Sequence, residues 1–458
     1  MQKNASKITN LTSGDITKSL LIFSWPMMLA NLLQIVYNMV DMVVVGQYVG
    51  SIGLSAVSCG GDITNLAATL CMGFTSAGQV LISQKIGSGD RKGLSGLVGS
   101  IFSFFIMIAV GISLAGILCV DFLLNAINVP PEVYIQAREY SVYCLAATVF
   151  VFGYNTIASI LRGMGDSIRP LIFISISAVT NLILDIWFVA FLGLGPKGAA
   201  LATAAGQALS FAISAIYLYR KQADFALDMK LESFIPKRET MVVICRLGIP
   251  MALQGAAVNI SKLFVHSYIN AYGVVASAVT GVGTKITHCS MVVSNAMSTA
   301  GTTVVGQNFG AGKTDRIRKT VYTTLFIALT YNWVLASVML MMPQQVFALF
   351  TEEQAVLAMA PSYAMIAALV FNGSAMRVPF SALIGGLGNS KLSLTIGILD
   401  GIVARVGFSL LFGEVLGLGI MGFWLGDVMA SHVPAVIGGV YFWSGLWEKF
   451  ALKARKRA

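Results

Sequence analysis

Ile82-Ser-Gln-Lys-Ile-Gly-Ser-Gly-Asp90 returns 223 residues later as Val305-Gly-Gln-Asn-Phe-Gly-Ala-Gly-Lys313. Each copy closes a long apolar stretch with a glycine-rich turn, so the chain carries one unit twice. Other pairs keep nearly the same spacing. Arg162-Gly-Met-Gly-Asp-Ser167 answers to Gly385-Gly-Leu-Gly-Asn-Ser390, and Ser55-Ala-Val-Ser58 to Ser277-Ala-Val-Thr280. Gly193-Leu-Gly195 answers to Gly417-Leu-Gly419, and Pro26 to Pro250.

The repeated unit is apolar. Of 458 residues, 56% are hydrophobic and 11% charged, and the mean hydropathy is +0.79. Soluble domains carry about 25% charged residues. Several runs are long enough for the helix of about 20 residues that crosses a bilayer. Alternating patterns of about 10 residues, the mark of a membrane β-barrel, are absent. The expected fold is an all-α polytopic membrane protein with twelve transmembrane helices, at about 17–46, 52–82, 94–120, 132–160, 168–193, 198–219, 240–270, 274–304, 318–343, 352–384, 391–413 and 417–444. Spans above the minimum length imply tilt or kinks. Pro26 and Pro250 lie inside spans 1 and 7, where each removes a helical hydrogen bond.

Six spans per repeat make two parallel, pseudo-symmetric six-helix lobes around a central cleft, a common transporter plan. The lobes are expected at residues 1–219 and 240–445. The charged segment 220–239 reads as a cytoplasmic linker, and 446–458 as a basic cytoplasmic tail.

The net charge of +10 lies in short connections and at the C-terminus, not on a basic soluble domain, so nucleic acid is not an expected partner. One side collects Lys3, Lys7, Lys85, Arg91, Lys92, Arg162, Arg169, Arg220, Lys221, Lys237, Arg238, Lys313, Arg316, Arg318, Lys319, Lys391 and the segment Lys449 to Arg457. The other has little beyond Arg138 and Lys197, with Glu132, Glu139, Glu352, Glu353 and Glu414. The positive-inside rule then puts both termini in the cytoplasm. The expected location is the cell membrane, a bacterial inner membrane, with the lipid bilayer as surroundings. Residues 1–15 are polar and the first apolar run is long enough to span, so no cleavable signal is expected.

Cys59, Cys71, Cys119, Cys144, Cys245 and Cys289 are scattered, with no metal-ligand spacing, and read as free packing thiols. The glycine-rich turns lack GxxxxGK[ST], so ATP drive is not expected. The only histidines are at 266, 288 and 432, which leaves no nucleophile–base or metal cluster for a membrane enzyme. A receptor would not need the repeat. No cofactor or metal is expected.

Two acids stand inside the apolar runs: Asp41 in span 1 and Asp185 in span 5. A carboxylate in hydrocarbon is costly, so such acids mark ion or substrate paths. Tyr37 lies one turn before Asp41, and Asn181 one turn before Asp185, on the same helix faces. At 1.5 Å per residue, Asp41 lies about 13 Å from the outer end of its span, Asp185 about 12 Å and Thr203 on span 6 about 7 Å. All three sit in the outer half of one lobe. Two carboxylates there should retain a proton or bind a cation. Na+ would also suit a set of carboxylate, amide and hydroxyl oxygens. The competing reading is a pair of interfacial, hydrogen-bonded structural acids. The second-lobe counterparts fall near Val265 and Phe408, which are apolar, so the site should be single.

Together these features resemble the MATE (multidrug and toxic compound extrusion) family over nearly the whole chain. The resemblance rests on the two six-span halves, on Gln84-Lys-Ile-Gly-Ser-Gly89 with its copy Gln307-Asn-Phe-Gly-Ala-Gly312, on Leu161-Arg-Gly-Met-Gly-Asp166 and on the first-lobe polar set. It implies antiport: a cation, H+ or Na+, moves inward while an organic, cationic or amphipathic compound leaves. It also implies that Tyr37, Asp41, Asn181, Asp185 and Thr203 form the coupling site. The branch with a second-lobe acidic site carries a glutamate on span 7 and an aspartate on span 10. Here those regions read Ala256-Ala-Val-Asn-Ile260 and Phe371-Asn-Gly-Ser-Ala375, without an acid.

Other intramembrane charges remain. Asp62 and Lys285 occupy repeat-equivalent positions, and either pair between the lobes or make separate contacts within them. Arg405 and Asp427 sit at similar depths and suit a structural bridge. Asp400, five residues before Arg405, is poorly spaced for a pair along an α-helix. Lys262 and His266 share a face of span 7, and Arg377 lies on span 10; they are either cavity contacts or structural charges. An alternative function is a lipid-linked oligosaccharide flippase of the same superfamily, with Lys262, Arg377 and Arg405 on phosphate. Twelve spans and the intact acidic set speak against it. The expected partners are small organic substrates, and the expected state is a monomer.

Overall fold

The architecture is given by a computed structural model that describes residues 9–90, 93–228 and 230–455. Lys3, Lys7, Arg91, Lys92, Lys456 and Arg457, which entered the topology argument, lie outside the described residues. Within hydrocarbon each backbone N–H and C=O must find a partner in its own segment, and a helix provides it. In the first half these are α1 (Ile16–Val49), α2 (Ser51–Gly87), α3 (Leu94–Ala126), α4 (Pro131–Gly163), α5 (Ile168–Asp185) and α6 (Gly195–Arg220). The second half has α7 (Arg238–Asn270), α8 (Val274–Gly310), α9 (Thr314–Met341), a short α10 (Pro343–Ala348) and α11 (Gln354–Gly386). It continues with α12 (Ser390–Ile398), α13 (Arg405–Leu410), α14 (Gly419–Trp443) and α15 (Leu446–Arg455). A π-helical stretch, Leu399–Ala404, joins α12 to α13, and a second, Leu411–Val415, ends the single span Ser390–Val415.

Among the described residues eleven helical segments are long and apolar enough to cross a membrane. The exception is α8, which at 37 residues is long enough. Its Thr280, Thr284, Lys285, Thr287, His288, Ser294, Asn295 and Thr299 lower its hydropathy. The repeat nevertheless holds at the backbone: Gly89 and Gly312 both take positive φ (73° and 78°), as do Gly165 and Gly388 (86° and 71°). Only glycine adopts that conformation without strain, so the paired turns need it.

Contacts divide the chain into two compact units, but not at the expected boundaries of 219 and 240. One unit takes Trp25–Ala252 with residues 9–10; the other takes Leu11–Ser24 with residues 253–455. The divisions fall inside α1 and α7, beside Pro26 and Pro250, where a missing hydrogen bond lets a helix bend. In the N-terminal unit α4 is central and packs on α2, α3 and α6, with α5 against α6. In the C-terminal unit the repeat-equivalent α11 packs on α8, α9 and α14.

The linker is bound rather than loose. Ser95 Oγ accepts from Asp228 N (2.9 Å), Ser100 Oγ accepts from Lys237 N (3.3 Å), and Phe234 meets Phe102 edge-on. The expected tail is largely α15. Trp447 and Ala451, one turn apart, are buried (1% and 3% exposed), and Arg318 pairs with Glu448.

Gly422 and Gly426 let α14 lie directly on the preceding span. A Cβ at Gly422 would come within 2.3 Å of the Phe412 carbonyl oxygen, and one at Gly426 within 2.3 Å of Ser409 Cα. Small residues four apart are the usual means of close helix approach in bilayers. Gly426→Ala is expected to lower stability by about 1–3 kcal/mol, the usual cost of overpacking. Thermal unfolding of the purified protein reads this out. Gly281→Ala, where a Cβ meets nothing within 4 Å, should leave the transition in place.

Candidate functional site

Three helices of the N-terminal unit each bring an i, i+4 polar pair to the same region: Tyr37 and Asp41 on α1, Asn181 and Asp185 on α5, Thr203 and Gln207 on α6. Gly206 allows α5 and α6 to approach, since a Cβ there would lie 2.9 Å from the Ser177 carbonyl oxygen and 3.3 Å from Asn181 Cβ. Asp41, Asn181 and Asp185 are 5%, 3% and 0% exposed.

Asp41, Asn181 and Thr203 are joined by hydrogen bonds, Asp185 faces Asp41, and one expected residue stands apart. Thr203 Oγ1 donates to Asp41 Oδ2 at 3.4 Å. The Asn181 amide, oriented to satisfy its neighbours, donates to Asp41 Oδ1 at 2.9 Å and accepts from Thr203 N at 3.3 Å. Asp185 meets Asp41 carboxyl to carboxyl. Its Oδ1 is buried without a hydrogen-bond partner among the described residues. A buried acceptor in that position costs about 1–3 kcal/mol unless a proton or cation reaches it. The exception is Tyr37, whose hydroxyl is set toward the Gln34 and Gln207 side chains and not bonded to Asp41. Gln207, 6% exposed, was missed by sequence reasoning, although its i, i+4 relation to Thr203 repeats the pattern on the other two helices.

After Asp185 the helix widens into a π-helical stretch, Ile186–Phe191. Such widenings recur at functional sites. Val189 in this stretch and Val49 at the end of α1 border a recess of about 270 Å³ that also presents Tyr48, Gln136, Glu139 and Lys197. The recess lies at the end of the unit away from the Gln84–Gly89 turn. It is one helical turn from Asp185 by way of Val189, which is 2% exposed.

The C-terminal unit gathers the other charges. Arg405, 2% exposed, is bonded to Asp427, which makes the expected bridge. It is also bonded to Asp400 at 2.8 Å, against the expectation that this spacing is poor. The reason is local: Leu399–Ala404 is π-helix, in which residues five apart stack. Arg377 Nη1 lies 3.8 Å from Asp400 Oδ2. Lys262 and His266 share a face of α7 in the vicinity of Asp427. Asp62 on α2 and Lys285 on α8 are both exposed and belong to different units.

A model of the MatE family matches residues 26–187 and 250–411, one segment in each repeat. Over 453 residues the chain is 26% identical to the probable multidrug resistance protein YpnP of Bacillus subtilis, covering 98% of this chain and 100% of that one. It is 23% identical over 449 residues to the probable multidrug resistance protein NorM of Thermotoga maritima, covering 97% and 96%. Among solved structures, an outward-facing multidrug resistance MATE family transporter of the MOP superfamily has a TM-score of 0.89 at 26% identity, covering 99% of this chain and 100% of that chain. A MOP superfamily transporter from Pyrococcus furiosus, described as having a binding pocket of reverse polarity, has a TM-score of 0.89 at 26% identity, covering 95% and 97%.

Proposed function

This chain belongs to the MatE family, and on that premise we propose that it is a secondary antiporter that exports amphipathic organic compounds in exchange for a cation taken up at Asp41 and Asp185. Family membership makes it a multi-pass membrane transporter rather than an enzyme, with multidrug exporters among its relatives. The observation that carries the finer reading is the buried carboxyl pair. Two carboxyl groups in hydrogen-bonding contact hold a proton between them, because like charges so close do not both ionise. H+ is therefore the coupling ion we favour. Asn181 and Thr203 hold Asp41 in place, and Asp185 supplies the oxygen that lacks a donor. The recess beside Val189 offers an approach from the end where Glu139 and Lys197 lie. With both termini cytoplasmic, that end faces outward.

Uptake at this site drives export only if the two transport states bind the cation with different affinity. Arg405 is engaged by two carboxylates and is not free for the lipid phosphate that a flippase carries. The test is efflux of a fluorescent organic cation from vesicles under an imposed H+ or Na+ gradient. We expect efflux with the H+ gradient; efflux with the Na+ gradient alone would reassign the ion. Efflux with neither would overturn the antiporter reading. Thr203→Val removes one neutral donor from Asp41, worth about 1 kcal/mol. The expected result is a shift of the pH at half-maximal efflux by about 0.5–1 unit, with little change in the maximal rate.

A further inference from the structure

We propose that the C-terminal unit holds a receptor site for the carboxylate of an amphipathic solute, centred on Lys262. The proposal deepens the exporter reading by naming a class of compound, and rests on it only for delivery of that compound to the site.

The charges of this unit lead to it. Arg405 is bonded to both Asp400 and Asp427, and Arg377 lies 3.8 Å from the second oxygen of Asp400. Two guanidinium groups and two carboxylates therefore balance. Lys262 stands outside that balance. Among the described residues its ammonium makes neither a hydrogen bond nor an ion pair. Its charged neighbours are Asp427, Arg405, Arg377 and Asp400, with His266 one turn along α7 and His288 on α8 nearby. An unpaired cation on a membrane-spanning helix is costly unless it faces water or meets a counter-charge.

The network has a sealed back and an open front. Arg405 and Asp400 are 2% and 1% exposed, whereas Asp427 and Arg377 are 34% and 37% exposed and Lys262 is half-buried. A solute entering from the open side meets three unused Lys262 donors and a guanidinium held only at long range. Both are suited to a carboxylate. Asp427 beside them disfavours a second negative charge and favours a cationic group on the same molecule. The ligand class is thus an amphipathic zwitterion or monoanion. A lysine that merely snorkels to water would show no such selectivity.

Rhodamine 110 and its methyl ester, rhodamine 123, share a cationic ring system and differ in the free carboxylate. Binding of each to the purified protein, read by fluorescence polarisation, tests the site without transport. The wild type is expected to bind the acid more tightly than the ester. Lys262→Gln should weaken acid binding by about tenfold or more, as expected for loss of a charge-assisted hydrogen bond, and ester binding less than about twofold. Retained ester binding shows that the variant is folded. Lys262→Arg should keep the preference, and Arg377→Gln should reduce it by a smaller factor. A wild type without preference for the acid, or a Lys262→Gln variant that keeps it, would overturn the proposal. The exporter reading stands or falls separately, on rhodamine 123 efflux from vesicles.

Discussion

Asp41→Asn and Asp185→Asn are each expected to reduce gradient-driven efflux by about 100-fold or more, because a ligand bound equally by two states shifts neither. Asparagine keeps the size of aspartate but does not take up and release a proton in this range. The carboxyl pair is then reduced to one acid, and the exchangeable proton it shares is lost. Folding should respond in the opposite sense. Asp41 and Asp185 are buried, and Asp185 Oδ1 lacks a partner. A neutral amide there costs less than a carboxylate, so the melting temperature of either variant is expected to hold or rise. Structural acids would give the reverse: lower stability and retained efflux. Measuring efflux and unfolding on the same preparations separates the two roles.

Arg405→Gln is expected to destabilise the C-terminal unit by about 3–5 kcal/mol, the usual cost of breaking a buried ion pair from one side. Arg405 bonds Asp400 and Asp427, and Asp400 is 1% exposed. Without the guanidinium, Asp400 keeps only the long contact of Arg377, and Asp427 keeps no ion pair among the described residues. Adding Asp400→Asn and Asp427→Asn to Arg405→Gln should recover much of the loss, because the two acids no longer stand as charges without their guanidinium; Arg377, 37% exposed, gives up only its long contact with Asp400. The check is the thermal transition of purified protein for the single and triple variants. A single variant as stable as the wild type would show that the network holds nothing together.

That polar residues of three helices gather in the N-terminal unit was legible in the sequence because the signals are local and repeated. Asp41, Asn181 and Asp185 are polar residues in apolar runs, and helical geometry fixes their face and depth. Thr203 was placed by depth and by family resemblance, and the hydrogen bonds to Asp41 and Asn181 now account for it. Tyr37 shares a face with Asp41, yet its hydroxyl is set toward Gln34 and Gln207. A pattern within one helix does not reveal a partner contributed by another. Asp400 and Arg405 were misjudged for a different reason. The pairing depends on a π-helical stretch, Leu399–Ala404, which apolar periodicity does not report. The division of the chain within α1 and α7 was likewise hidden. The prolines were visible, but contacts made by each half of a helix depend on the assembled fold.

The central claim is that export is coupled to one cation site in the N-terminal unit. The most direct measurement follows cation movement during substrate flux in proteoliposomes, with a pH dye trapped inside and Na+ present or absent. An imposed substrate gradient should drive H+ in the opposite direction in the wild type. That counter-flux should vanish in the Asp41→Asn/Asp185→Asn double variant, while substrate binding persists. H+ counter-flux of undiminished size in the double variant would contradict the account.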